Sequence, residues 1–323
     1  MRAYVIRRIL LVIPTLFIVT VLVFLSVRFI PGDIIDVMTA RISFSGTGSI
    51  DAEALKKRLG LDKPVYVQYA KWIGDIVLRG TLGHSLYSGS SAGTKVEEKL
   101  AGRVGVTVEL GLLAILTGLV IAVPIGIYSA IRQYTVADYA GRAVAIFGLA
   151  TPNFWLGLMV MIYPAIWWGW TPPLTHVGFS EDPWANLGML IIPALILGTY
   201  LAASTMRMTR TMMLEVLRQD YVRTAWAKGL KERVVVVRHA VKNALIPVVT
   251  LVALQLPIIA GGSVIIENIF NLPGLGQLML VALNERDYPV VSGINLLFAS
   301  VVVLINLITD LTYAFLDPRI RYD

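Results

Sequence analysis

Residues 110–131 read LGLLAILTGLVIAVPIGIYSAI, 22 positions with no Asp, Glu, Lys or Arg, closed off by Glu109 and Arg132. A single charge at mid-bilayer costs about 2.5–3.5 kcal/mol on insertion scales. A helix needs about 20 mainly apolar residues to cross roughly 30 Å of hydrocarbon. The stretch reads as a membrane span. Working outward, the windows 9–27, 143–180, 183–206, 243–266 and 288–309 are also free of charge. The one at 143–180 is long enough for a span plus a loop, and Trp170, Pro172 and Pro173 close its helical part. A shorter window, 268–284, contains Asn271, Pro273, Gly274 and Gly276 and reads as a loop with a short helix. The expectation is an all-α integral membrane protein with six transmembrane helices.

Composition agrees. Of 323 residues, 56% are hydrophobic and 15% charged, against roughly 25% charged in soluble domains. The mean hydropathy is +0.72. A soluble globule has no polar shell large enough to cover that apolar surface. The absence of Cys excludes a disulfide framework, a thiolate metal site and a Cys nucleophile. The net charge of +7 does not by itself call for nucleic acid, because membrane proteins gather Lys and Arg on their cytoplasmic side. With the N-terminus inside, Arg2, Arg7, Arg8, Arg132, Arg142, nine basic residues within 207–247, Arg319 and Arg321 make sixteen inner charges. The outer loops 170–187 and 267–287 hold only Arg286. The segment 31–109 carries ten, but loops longer than about 60 residues escape the rule. Both termini are therefore expected to be cytoplasmic. The apolar run after Arg7 and Arg8 is of span length and ends at Pro31-Gly32-Asp33 without a small-residue cleavage site, so it reads as an anchor, not a signal peptide.

Chemistry inside the bilayer needs reactive groups there. His84, His176 and His239 all fall in predicted loops, and Asp310 is the only Asp within a span. A Ser–His hydrolase lacks its base and an aspartyl dyad its second carboxylate. Without a Gly-Lys dipeptide no phosphate-cradling G-x-x-x-x-G-K-[ST] loop exists. Neither metal nor cofactor is expected in the chain, which reads as a conduit and not an enzyme. Glu109 opens its predicted span as a carboxylate favouring the helix dipole, and Asp310, near Tyr313 and Arg319, reads as an interfacial pair. Asn153, Gln255 and Asn295 are candidates for a polar translocation path, with hydrogen bonding between helices as the other reading of such groups.

The segment 207–247 interleaves its nine basic positions with apolar ones. Asp220 suits an N-cap ahead of Tyr221-Val222-Arg223-Thr224-Ala225-Trp226-Ala227-Lys228, with Gly229 as terminator. Tyr221, Val222, Ala225 and Trp226 then form one apolar patch, and a second helical run spans about 232–243. Two readings stay open: a knob that docks in a groove of another protein, and an amphipathic helix lying on anionic lipid. On the outer side, 51–60 reads as a capped helix. A second helix runs from Pro64 to about Leu78, with Val65, Tyr69, Trp72, Ile73 and Ile76 on one face. A Gly/Ser-rich stretch, 88–93, follows. This helical insertion can meet a soluble partner or simply pack on the bundle.

With those residues quoted, the chain resembles the dipeptide/oligopeptide/nickel permease family of bacterial ABC importers from end to end. The resemblance is carried by Arg7-Arg8, Pro14, Phe24 and Pro31-Gly32-Asp33 in the first span. Leu59-Gly60-Leu61-Asp62-Lys63-Pro64 with Gln68-Tyr69 follows outside, then Pro152-Asn153-Phe154-Trp155-Leu156-Gly157 in the third span. The inner loop supplies Asp220 to Gly229 and Asn243-Ala244-Leu245-Ile246-Pro247. Glu267, Phe270, Pro273-Gly274-Leu275-Gly276 and Asp317-Pro318-Arg319 complete it. Two departures stand out. Arg223-Thr224-Ala225 occupies the place of the general importer's Glu-Ala-Ala, a feature shared with the peptide branch, and Gly80-Thr81-Leu82-Gly83 replaces the family's Gly-Asp-Leu-Gly.

The resemblance implies a type I ABC importer permease in the bacterial inner membrane. Such a subunit is half of a translocation pathway, pairing with a second paralogous permease, two ATPase domains that bind ATP and Mg, and an extracytoplasmic substrate-binding protein. Asp220, Tyr221, Arg223, Thr224, Ala225, Trp226, Lys228 and Gly229 would form the ATPase-docking helix. The domain expectation is a first span with its cytoplasmic end (1–30), an insertion (31–102), a five-helix core with its docking loop (103–315, loop 207–247) and a tail (316–323). A di- or oligopeptide is the expected cargo, with nickel chelates and oligosaccharides as alternatives. A secondary transporter or a homo-oligomeric channel is the competing class.

Overall fold

The computed structural model describes residues 2–29, 53, 56–57, 60–86, 93–173 and 175–316. The motif at 31–33, the helix expected at 51–60 apart from residues 53, 56, 57 and 60, the Gly/Ser positions 88–92 and the tail 317–323 lie outside them. Helices account for nearly all of the described chain: α1 (Arg2–Arg28), α2 (Val65–Arg79), α3 (Val96–Ile131), α4 (Val136–Ala150), α5 (Asn153–Trp168), α6 (Pro183–Leu217), α7 (Asp220–Ala227), α8 (Lys242–Ile269), α9 (Leu275–Asn284) and α10 (Tyr288–Leu316). A short turn, Glu232–Val234, and a π-helical stretch, Val235–Val241, lead into α8. Among the described residues five helices are long and apolar enough to cross a membrane, and the bent pair α4–α5 makes six when it counts as one span.

The chain divides into two compact units, residues 1–105 with 274–323, and 106–273. In the first, α1 packs along α10, and Arg8 pairs with Asp310 at 2.6 Å; the Tyr313 side chain and Arg319, expected near that carboxylate, lie outside what the structure describes. The aromatic face of α2 lies on α1: the Tyr69 hydroxyl meets Thr20 at 2.8 Å, and the Tyr69 and Trp72 rings stand 5.5 and 5.7 Å from Phe24. That face is therefore used for packing within the chain. Val27, Val96, Leu100, Leu275, Val291 and Ile294 form the unit's core. The Thr81 hydroxyl donates to Glu97 at 3.1 Å, and the Leu82 N–H faces the same carboxylate at 3.4 Å. A family-type Asp at position 81 would set two carboxylates together, so the hydroxyl and Glu97 belong to one local arrangement.

In the second unit, Leu110, Leu190, Leu197, Leu201, Ile266 and Phe270 are buried together. The backbones of α3 and α6 approach so closely that a Cβ on Gly198 would meet the Ala114 carbonyl oxygen at 2.6 Å, the small-residue contact that membrane helices use.

Four sequence expectations are corrected. The third span is not straight: α4 and α5 meet at 97° across Thr151-Pro152. Pro152 has no N–H to continue the ladder and pushes Thr151 out of the helical region, to φ −93°, ψ 122°. The segment 207–247 opens inside a helix, since α6 runs on to Leu217 ahead of the two helical runs expected there. Charged side chains end a hydropathy window without ending a helix. For the same reason α3 begins at Val96, well ahead of its charge-free window. Glu109 then sits mid-helix and takes a hydrogen bond from Asn186 at 3.4 Å, so the dipole account of it fails. Finally, Asp220 is the first residue of α7; the N-cap position belongs to Gln219, without a side-chain cap.

Candidate docking helix and cavity

The segment after α6 builds a short exposed helix on a buried footing. On α7, Val222 and Ala225 are buried against Val235, with Val216 and Leu217 beside them. Tyr221 and Trp226 stay 44% and 41% exposed. The single apolar patch expected from helical spacing is thus split into an inward pair that anchors the helix and an outward pair of aromatics. Asp220 pairs with Arg223 at 2.8 Å, both well exposed, and such pairs contribute little to stability. The Thr224 hydroxyl turns back to the Asp220 carbonyl at 2.9 Å. Asn243, on α8, donates to the Tyr221 hydroxyl at 2.9 Å and so ties the knob to the following span.

The end of α7 is closed. Lys228 is the C-cap and Gly229 follows at φ +76°, a conformation that glycine adopts without penalty. Gly229 N–H bonds the Trp226 carbonyl at 2.9 Å and Leu230 N–H the Ala225 carbonyl at 3.4 Å. The two bonds form the doubly closed Schellman ending. The Ala225 and Trp226 carbonyls are satisfied within the chain.

The second candidate region lies at the break between α4 and α5. A cavity of about 330 Å³ opens there, lined among others by Thr151, Asn153, Phe154, Tyr200 and Gln255. Two of the three path candidates, Asn153 and Gln255, come together on its wall. Asn295, partly buried in α10, belongs to the other unit. Gln255 is only 5% exposed. Its Oε1 accepts from Ser204 at 2.9 Å, while Nε2 has no partner among the described residues. The volume falls within the roughly 300–1,000 Å³ range of small-ligand sites.

Spacing did not reveal a third feature. Asp138, near the start of α4, is fully buried and takes a two-pronged bond from Arg210 of α6, at 2.9 and 3.0 Å. Ser129 of α3 donates to the same carboxylate, as does the Tyr134 N–H at 3.1 Å. The partners are 72 positions apart, and no local pattern joins them. A fully buried Glu267 accepting from Thr107 at 2.8 Å is a second such pair. Among the described residues no cluster of three His, Cys, Asp or Glu is arranged to hold a metal.

The family described as "Binding-protein-dependent transport system inner membrane component" matches residues 122–322, and its N-terminal companion matches residues 1–96. The oligopeptide transport system permease protein AppB of Bacillus subtilis (strain 168) is 40% identical, covering 100% of both chains. The dipeptide transport system permease protein DppB of Escherichia coli (strain K12) is 37% identical over 100% of this chain and 99% of its own. Among solved structures, the crystal structure of an amino acid ABC transporter with histidines aligns with 69% of this chain and 95% of its own at a TM-score of 0.50. At 11% identity it speaks to the fold alone.

Proposed function

We propose, from the premise that this chain belongs to the family of binding-protein-dependent transport system inner membrane components, that it is the permease subunit of an ATP-driven importer of di- and oligopeptides. It is a multi-pass protein of the inner membrane and a permease, not a catalyst. Such a permease works with a substrate-binding protein and with ATPases. The observation that carries the peptide reading is full-length identity of 37–40% to permeases named for dipeptide and oligopeptide transport.

A second, paralogous permease completes the pathway, and both termini face the cytoplasm, a reading supported by the sixteen inner basic residues. Two ATPase domains bind the ATP and Mg, and α7 is where they dock. Support for that docking comes from the exposed Tyr221 and Trp226, aromatic types that dominate protein interfaces, on a helix whose other face is already buried. Asp220, Arg223, Thr224 and Lys228 surround those aromatics, Ala225 anchors them, and Gly229 fixes the end. Nucleotide-driven closure of the ATPases would then move α7, and with it α6 and α8. Asn153, Gln255 and Asn295 are assigned to the substrate path.

The test is to purify the tagged chain from its native membrane in mild detergent and identify what accompanies it. A second permease and one or two P-loop ATPases are expected. A lone homo-oligomer without an ATPase would contradict the importer reading and favour a channel or a secondary transporter.

A further inference from the structure

We infer that the cavity at the α4–α5 break is a binding site for the main chain of the transported peptide: the first turn of α5 receives its carboxylate and Gln255 one of its peptide groups. The inference rests on the peptide reading above and adds to it the place and the chemistry of recognition.

The first observation is the start of α5. The opening N–H groups of any helix lack an intrahelical acceptor and sit at the positive end of the helix dipole. Here the N-cap is Pro152, which makes no side-chain cap. The nearest hydroxyl, on Thr151, is turned back to the Phe147 carbonyl at 2.8 Å. The first turn's own ladder begins with Leu156 N–H on the Pro152 carbonyl at 3.2 Å. Asn153 and Phe154 N–H therefore meet no acceptor among the described residues, and both residues form part of the cavity wall. An interrupted membrane helix that presents its N-terminal end to a cavity is suited to an anionic substrate group.

The second observation is independent of the first. Gln255 is buried and lines the same cavity, with one end of its amide held by Ser204 and the other unpartnered. Leaving a buried amide unpaired is costly, and a ligand that pairs with it recovers the cost. A peptide group offers both a carbonyl and an N–H, so it answers the free end of a carboxamide whichever end that is. The rest of the wall is mainly aliphatic, with Leu197, Ile259 and Ile266 among its residues. It can take apolar side chains without choosing among them. A site that reads main chain and tolerates side chains suits a carrier of varied peptides.

The test uses the assembled complex with its ATPases and binding protein in lipid vesicles, measuring uptake of labelled dialanine per assembled complex. Asn153→Pro removes a main-chain donor at a position where helices accept proline, and Asn153→Ala changes the side chain alone; the ratio between the two isolates the N–H. Charge-assisted hydrogen bonds of this kind give an expected drop of about tenfold or more in uptake efficiency for proline relative to alanine. A drop of about tenfold is also expected for Gln255→Leu relative to the native chain. Co-purification of the ATPases reports assembly, and if the leucine variant fails to assemble the Asn153 pair decides the matter. Equal uptake by the two Asn153 variants overturns the site and leaves the cavity to water. A native complex that hydrolyses ATP with its binding protein yet accumulates no peptide overturns the substrate reading, and the site falls with it.

Discussion

Two helix breaks in the second unit, at Gly229 and at Pro152, have opposite outcomes. At Gly229 the backbone turns left-handed and two N–H groups close on the outgoing Trp226 and Ala225 carbonyls, so α7 ends in a capped turn. At Pro152 the backbone stays extended and the next helix starts without a cap, so donors remain available beside a cavity. A closed end makes a rigid body that can transmit force. An open end makes a site that can bind. The difference follows from what each residue allows: glycine permits a left-handed turn that closes on the outgoing carbonyls, whereas proline ends the helix ahead of it and, as N-cap, has no side-chain acceptor for the N–H groups that follow.

The two regions are joined through α6, which leads to α7 and also holds Arg210 against Asp138 on α4. Removing one partner of a buried ion pair leaves an uncompensated charge, at a cost of about 3–5 kcal/mol. Arg210→Met should therefore lower the melting temperature of the purified complex more than any other single change considered, and an unchanged melting temperature would separate the two regions. On the docking side, a buried aromatic anchor contributes about 2 kcal/mol or more to an interface. Trp226→Ala should weaken ATPase binding at least about thirtyfold in a pull-down titration, with the permease itself still folded. Native affinity would show that the exposed face of α7 is not the contact.

Smaller effects sharpen the contrast. Gly229→Val places a β-branched residue at φ +76°, a strain of about 1–2 kcal/mol. Uptake should fall several-fold, with Gly229→Asn falling less because asparagine tolerates that region. Equal uptake by valine, asparagine and glycine would mean the end of α7 need not be rigid. The least change is expected of Asn243→Ala, which frees the Tyr221 hydroxyl at an exposed site at a cost of about 1 kcal/mol or less. A modest rise in the ATP needed per peptide imported would register it, and a loss comparable with that of Trp226→Ala would place the main contact on α8.

Much of this was legible in the sequence. Each of the charge-free windows contains helix, because desolvating one charge outweighs local propensity in a bilayer. The short helix closed by Gly229 also read directly from residue types. The helix ends did not: Arg207 and Arg210 end the apolar window while α6 continues to Leu217. Hydropathy likewise counts composition and is blind to direction, so Thr151-Pro152 passed unnoticed as a 97° corner inside an apolar run. Spacing alone grouped Tyr221 with Val222 and Trp226 with Ala225. It was Val235, arriving through the π-helical stretch, that decided which of them were buried. Asp138 and Arg210 are chemically ordinary in isolation, and only folding brings them together.

The most direct measurement exploits the absence of any cysteine in the native chain. With Lys228→Cys as its only thiol, the permease in its native membrane is treated with a short thiol-to-amine cross-linker, with and without ATP, and the products are identified by mass. The account predicts a cross-link to an ATPase subunit whose yield changes when ATP is added. A thiol that reacts only with lipid-facing reagents, or with another copy of this chain, would contradict it.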